Sequence, residues 1–179
     1  KTAYEIRLSL VGSEMCIRDR CPCVCKSLGN KLSSCRMIVI AHDIRSLHNI
    51  GSIFRNAAAF GIEKLYLTGF TAAPPRKEIA KVALGAEDLV PWEAGIIEQV
   101  IKNLKADGYT VYGLETGTDA VDIASVHAPK LALVLGNEVE GIDRATLSLL
   151  DGKLVILMRK KQSLNVSVAS GVAMYILTR

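Results

Sequence analysis

Leu131-Ala132-Leu133-Val134-Leu135-Gly136-Asn137-Glu138-Val139-Glu140-Gly141 is the stretch that decides the fold. An unbroken apolar run ends abruptly in two glycines that bracket an amide and two carboxylates. A short apolar run closed by glycine reads as a strand buried on both faces, as strands of parallel sheets are. Comparable strand candidates are Met37 to Ala41, Lys64 to Thr68, Thr110 to Leu114 and Leu154 to Met158, with a shorter one at Leu89 to Trp92. Amphipathic segments separate them. Helices are predicted over Ile50 to Phe60, stopped by Gly61, over Ile96 to Ala106, stopped by Gly108, and over Leu164 to Leu177. This alternation predicts an α/β domain with a mostly parallel sheet and helices on both faces. In such sheets ligands bind at the carboxyl ends of the strands, so the chemistry is to be sought in the loops there.

The composition narrows the class. A chain of 179 residues, half of them apolar, suffices for one domain with a sizeable core. No apolar stretch approaches the roughly 18 residues that a membrane span needs, so no membrane association is expected. The formal charge of +4 is unevenly distributed: residues 1 to 36 carry seven Lys/Arg against three Asp/Glu, and residues 37 to 179 carry fifteen of each. Any nucleic-acid contact by the main domain must therefore come from local patches. All five cysteines precede Met37, which excludes a disulfide scaffold for the rest. Their C-x-C-x-C spacing at Cys21, Cys23 and Cys25 is not the C-x2-C of common zinc sites, and no metal is expected. Residues 1 to 36 show no sustained period, and Ser9 to Arg20 resembles translated sequencing-adapter text. They are read as a non-native or disordered segment, with Met37 as the start and residues 37 to 179 as the domain. The competing reading is a basic RNA-binding arm.

Three strand-end loops stand out. The first is His48 to Asn56, where Asn49 suits a helix N-cap, Gly51 admits close backbone approach and Arg55 follows on the helix. A capped helix with a solvated arginine explains it equally well. The second is Leu135 to Gly141, which offers backbone N–H groups and a carboxylate to a polar ligand, although glycine turns after buried strands are common without a site. The third is Ser163-Leu164-Asn165-Val166-Ser167-Val168-Ala169-Ser170-Gly171. There Ser163 suits an N-cap and the small residues suit close helix packing, which leaves Asn165 unexplained.

In this order and spacing the three loops resemble motifs 1, 2 and 3 of the TrmH-type SPOUT RNA 2'-O-ribose methyltransferases, over nearly all of residues 37 to 179. Asn-x-Gly-x3-Arg is present as Asn49, Gly51 and Arg55, Gly-Asn-Glu-x-x-Gly as Gly136 to Gly141, and Ser-Leu-Asn-Val-Ser-Val-Ala as Ser163 to Ala169. The resemblance implies a C-terminal trefoil knot, a homodimer, S-adenosylmethionine as methyl donor, tRNA or rRNA as substrate and a cytoplasmic location. It implies catalytic roles for Arg55, Asn49, Glu138, Ser163 and Asn165, with Asn49 supporting Arg55. Cofactor contacts would fall on Thr68, Gly69, Leu135, Gly136, Asn137, Glu138, Ile156, Met158, Ser163, Leu164 and Asn165. A guanidinium is a poor proton acceptor near neutrality and a planar fork of donors, so Arg55 suits phosphate recognition and positioning better than proton abstraction. Holding nucleophile and methyl in line can supply much of the acceleration. RNA contacts are expected from Arg45, Arg55, Arg76, Lys77 and Lys81, and from Arg159 to Lys161.

Motif 3 departs from the family pattern. Its usual Ile-Pro-Met and following glycine are replaced by Ile156-Leu157-Met158-Arg159-Lys160-Lys161-Gln162. Losing a fixed φ and a permissive one alters a loop expected to hold the cofactor. A non-catalytic, knotted RNA-binding or assembly module with impaired cofactor binding is therefore the alternative. A flavodoxin-like nucleotide-binding domain would explain the sheet but not the ordered motifs. Lacking a recognisable extra RNA-binding domain, the chain reads as a minimal tRNA-modifying enzyme in preference to an rRNA one.

Overall fold

The computed structural model describes residues 36–160 and 163–179. The predicted N-terminal segment, apart from Arg36, lies outside the described residues, as do Lys161 and Gln162. The chain runs β1 (Arg36–His42), α1 (Leu47–Phe60), β2 (Lys64–Thr68), α2 (Lys77–Ala83), α3 (Ala86–Leu89), β3 (Trp92–Gly95), α4 (Ile97–Ala106), β4 (Thr110–Leu114) and β5 (Val121–Asp122). A 3-10 turn (Ile123–Ser125) then leads to β6 (Lys130–Leu135), α5 (Arg144–Ser148), β7 (Gly152–Val155) and α6 (Val166–Leu177). The strands form one sheet in the order β3-β2-β1-β6-β4-β7-β5, with every pairing parallel.

The period of two along the central strands divides the core into two layers. Met37, Val39, Ala41, Leu131, Leu133 and Leu135 point to one face and pack with Ile53 and Phe54 of α1, Ile79 of α2 and Met174 of α6. Ile38, Ile40, Ala132 and Val134 point to the other, where Val100, Ile101 and Leu104 of α4 cover them. Burial on both faces is why β1 and β6 are continuously apolar. Each large side chain so buried contributes roughly 1.5–3 kcal/mol.

Several boundaries differ from expectation. Leu89 to Trp92 is not a strand: Ala86–Leu89 is helical, and β3 begins at Trp92. That edge strand has three exposed residues out of four, so it carries no apolar run to read. β7 covers Gly152–Val155 and not Leu154 to Met158. Its neighbours end first: Leu114 of β4 pairs with Leu154 and Asp122 of β5 with Val155, so Ile156 onward has no ladder to join. The last helix starts at Val166, with Asn165 and not Ser163 as its N-cap. In α1 the cap is Ser46, whose side chain accepts from the Asn49 N–H, and Asn49 lies within the first turn. Gly51 does admit a close approach, but of α2: a Cβ there would sit 2.7 Å from the Ile79 carbonyl oxygen and 2.9 Å from the Val82 Cβ.

Candidate functional site

At the carboxyl ends of β4, β6 and β7 lies a cleft of about 290 Å³. Its walls are Leu114–Thr116 after β4, Gly136, Asn137 and Glu138 after β6, Ile156 and Met158 after β7, and Ser163, Leu164 and Val166 at the start of α6. The volume is close to the lower end of the roughly 300–1,000 Å³ usual for small-molecule sites.

The loop after β6 is closed on itself. Asn137 and Gly141 exchange backbone hydrogen bonds of 2.9 and 3.0 Å, and the Asn137 Oδ1 accepts from the N–H groups of Val139 and Glu140. The Asn137 Nδ2 donates to the Asp43 carbonyl at 2.8 Å, tying the loop to the end of β1. Gly136 is required by packing, because a Cβ there would lie 2.5 Å from the Gly141 carbonyl carbon and 2.6 Å from Ile142.

Glu138 joins this loop to the start of α1. Its Oε2 accepts from the Arg45 N–H at 3.0 Å, and its Oε1 accepts from the Ser46 N–H at 3.0 Å and the Asn49 Nδ2 at 2.9 Å. Burial pushes the carboxyl pKa up, but the Arg45 N–H, the Asn49 amide and the Ser46 N–H outweigh it and hold the group below the usual glutamate range. The Asn49 Oδ1 in turn accepts from the Asn165 Nδ2 at 3.2 Å, while the Asn165 Oδ1 accepts from the N–H and Oγ of Ser167 at 2.8 and 2.6 Å. A further amide, Asn56, donates to the Ser167 carbonyl and Ser170 Oγ at 2.8 and 3.1 Å, which fixes α6 on α1. Three loops far apart in sequence are thus connected through Glu138, Asn49 and Asn165.

Not every predicted site residue joins this group. Leu135, Gly136, Asn137, Glu138, Ile156, Met158, Ser163 and Leu164 line the cleft. Asn165 and Asn49 form its supporting relay instead. Thr68 and Gly69 lie at the end of β2, outside the lining: Thr68 is buried against His42 Nδ1 at 3.0 Å, and Gly69 has a φ of 66°. Arg55 is exposed on α1 and makes no hydrogen bond or ion pair among the described residues. Asn49 therefore bonds to Glu138 and Asn165 rather than to Arg55. Arg45, Arg76, Lys77, Lys81, Arg159 and Lys160 are all exposed.

Glu115 is a cleft residue that sequence reasoning missed. Its Oε2 accepts from the Ile142 N–H and its Oε1 from the Thr116 N–H, both at 3.0 Å, and it packs against Gly141. The available signal was a carboxylate directly after an apolar strand, in Leu114-Glu115-Thr116-Gly117.

A parallel sheet with a cleft at its carboxyl edge, walled by loops from separate strands, places the chain among the open α/β proteins, whose ligands bind at that edge. The match to the SpoU rRNA Methylase family extends over residues 36–175, and the chain belongs to that family. It is 30% identical over 155 residues to the Bacillus subtilis 23S rRNA (guanosine(2553)-2'-O)-methyltransferase RlmP, covering 85% of this chain and 62% of that one. The AdoMet-bound rRNA methyltransferase of Sinorhizobium meliloti superimposes with a TM-score of 0.74 at 24% identity, covering 79% of this chain and 55% of the other. A TrmH/SpoU tRNA-modifying enzyme of A. aeolicus gives 0.70 at 28% identity, covering 81% and 76%. The chain spans 38% of the length of one curated relative it matches, from Synechocystis, and 62% of the Bacillus subtilis one.

Proposed function

We propose that this chain transfers a methyl group from S-adenosylmethionine to a ribose 2'-hydroxyl of RNA. The relay Glu138–Asn49–Asn165 carries the reading, because it draws all three motifs to one cleft. The relatives named for 23S rRNA favour rRNA over the tRNA substrate expected from the sequence.

The cleft fits the cofactor chemically. Leu135, Leu154, Ile156, Leu164 and Ala169 offer an apolar wall for a purine, and the Glu115 carboxylate and loop backbone offer polar partners for a sugar and an amino acid. The irregular motif 3 still lays Val155, Ile156 and Met158 on the cleft, which supports the enzyme over the non-catalytic module. When bound, S-adenosylmethionine supplies an electrophilic methyl on a sulfonium with a neutral leaving group, so the protein's task is alignment.

Glu138 and Asn49 fix the first turn of α1 and hence the direction in which that helix presents Arg55. Arg55, with a planar guanidinium that suits bidentate contact, holds the phosphate beside the target ribose. Arg45, Arg76, Lys77 and Lys81 supply further phosphate contacts.

Two features support the remaining parts of the reading. Leu114 of β4 and Val121 of β5 both pair with Leu154, so residues 115–120 bridge across the end of β7. A trefoil knot would add to this bridge the passage of the chain after Val155 beneath it. α6 is apolar on nearly all sides yet leaves Val168 and Tyr175 about half exposed, as a helix covered by a second copy would. A homodimer acting on RNA in the cytoplasm accommodates both. Among the described residues no helix is long and apolar enough to cross a membrane.

Methyl-labelled S-adenosylmethionine, an unmodified 23S rRNA transcript and readout of alkali-resistant dinucleotides test the proposal. Wild-type chain should label the RNA, and Arg55→Ala should lower the rate by roughly 10²- to 10³-fold, as loss of a positioned charge-stabilising donor does. Absence of labelling by the wild type on rRNA and tRNA alike would overturn it.

A further inference from the structure

Phe70 is 60% exposed at the end of β2, on the same sheet edge as the cleft. It is displayed by a closely fitted loop. The Phe70 N–H donates to Asp43 Oδ1 at 3.0 Å, the Ile44 N–H donates to Thr71 Oγ1 at 3.0 Å, and the Thr71 hydroxyl donates to the Ala41 carbonyl at 3.0 Å. Two residues of this lacing take left-handed backbone, Asp43 with a φ of 55° and Gly69 with 66°. At Gly69 a Cβ would collide with the Asp43 carboxylate. Such backbone costs about 1–3 kcal/mol at a non-glycine residue and persists where its surroundings enforce it. Here it holds an apolar ring in water.

The neighbourhood mixes cationic and apolar groups with the Asp43 and Asp143 carboxylates, which lie 3.4 and 3.6 Å from His42 Nε2. Arg45, exposed, follows the Asp43–Ile44 segment that bonds to this loop, and its own N–H reaches Glu138. Thr68 pairs with Gly95, so Ile96, 72% exposed, leaves the sheet beside Gly69. Arg76 and Lys77 lie at the far end of the same loop, where α2 begins. Because β2 is separated from β6 by β1 alone, Phe70 is two strand spacings, about 10 Å, from the Glu138 loop. About three stacked nucleotides cover that distance, at ~3.4 Å each.

We infer that Phe70 is a stacking platform for an unpaired RNA base within a few nucleotides of the methylated ribose, with Arg45 on the adjoining phosphate. An exposed aromatic ring flanked by arginine is what single-stranded RNA recognition uses. The loop's place outside the cleft lining leaves it free for this purpose. The inference rests on the RNA-methyltransferase reading and adds to it a base-contacting residue.

The test compares wild type, Phe70→Ala and Phe70→Trp for binding of a ten-nucleotide oligoadenylate and of the same backbone with abasic sugars. Phe70→Ala should weaken oligoadenylate binding roughly 5- to 150-fold, as loss of one stacked base does. Phe70→Trp should retain it. The abasic strand should bind all three proteins alike, and the dependence on salt should keep its slope, because stacking releases no counterions. S-adenosylmethionine affinity and sedimentation should be unchanged in Phe70→Ala. Equal oligoadenylate affinity in wild type and Phe70→Ala overturns the inference while leaving methyl transfer by the wild type untouched. Loss of cofactor affinity would assign the loop to the cofactor, and a changed sedimentation coefficient would assign it to a subunit contact; either overturns stacking. Failure of the wild type both to bind oligoadenylate and to label any RNA would remove the underlying reading as well.

Discussion

Replacing Glu138 by Gln should cost almost as much as replacing it by Ala. The carboxylate accepts from three donors, the Arg45 N–H, the Ser46 N–H and the Asn49 Nδ2. Gln has one acceptor oxygen. If its NH₂ takes the Oε2 position it faces the Arg45 N–H; if it takes the Oε1 position it faces two donors. Turning the Asn49 amide to relieve the clash would set its nitrogen against the Asn165 Nδ2. Hydrogen bonds to a charged group contribute about 1.5–3 kcal/mol each. The site is half-buried, so water recovers much of the loss, and about 2 kcal/mol for Gln and about 3 kcal/mol for Ala remain. With a urea m-value of about 2 kcal/mol/M, Glu138→Gln should lower the unfolding midpoint by about 1 M.

The pH dependence separates this account from a simple packing defect. Glu138 is held below the usual glutamate range in the fold, with burial opposing and the three donors prevailing. A carboxyl with a depressed folded pKa contributes stability above its unfolded pKa of about 4.3 and loses it as pH falls through the folded value. Urea titrations of wild type and Glu138→Gln at pH 7, 5, 4 and 3 should show a gap that is full at pH 7 and narrows below about pH 4. Equal midpoints at pH 7, or a gap unchanged at pH 3, would refute the charged clamp.

Asn165→Ala removes both the α6 cap and the bond to Asn49, so urea unfolding should show about 1–2 kcal/mol of lost stability and the labelling assay a slower rate. Gly136→Ala drives a methyl into the Gly141 backbone, which should cost about 1–3 kcal/mol and depress S-adenosylmethionine affinity measured by calorimetry. Tyr109 has its phenol pushed up to about 12, first by burial and then by its hydrogen bond to Glu63. Its contribution should be full below about pH 10 and lost as pH rises toward 12, so ultraviolet titration should show one late tyrosinate that Tyr109→Phe abolishes.

The sequence was most legible where a strand has a paired neighbour on each side. Lys64–Thr68 and Thr110–Leu114 lie where the apolar runs put them, and Leu131–Leu135 gains only Lys130. These strands have paired neighbours on both sides, so apolarity and strand coincide. The rule fails at the rim. β7 stops at Val155 although Ile156, Leu157 and Met158 continue the apolar run, because β4 and β5 have ended. Beyond that point Ile156 and Met158 line the cleft and Leu157 is exposed, so a core run and a cleft wall look alike in sequence.

The same ambiguity governs the polar residues. Ser46 and Asn49 both suit an N-cap, as do Ser163 and Asn165, and spacing alone does not choose within either pair. The choice falls on tertiary partners. Asn49 has a use for its amide that Ser46 lacks, since it bridges Glu138 and Asn165 across three loops, so the shorter hydroxyl takes the cap. Asn165 serves both purposes at once, its oxygen capping α6 while its nitrogen reaches Asn49, and this leaves Ser163 on the cleft wall with its hydroxyl uncommitted to the helix. The residues read as catalytic thus divide into two kinds. Glu138, Asn49 and Asn165 spend their hydrogen bonds on one another and on the Arg45, Ser46 and Ser167 groups beside them, whereas Arg55 and Ser163 retain free polar groups among the described residues. On the proposed function, direct contact with substrate or cofactor would fall to the second kind, and the first kind would act by fixing where those groups stand.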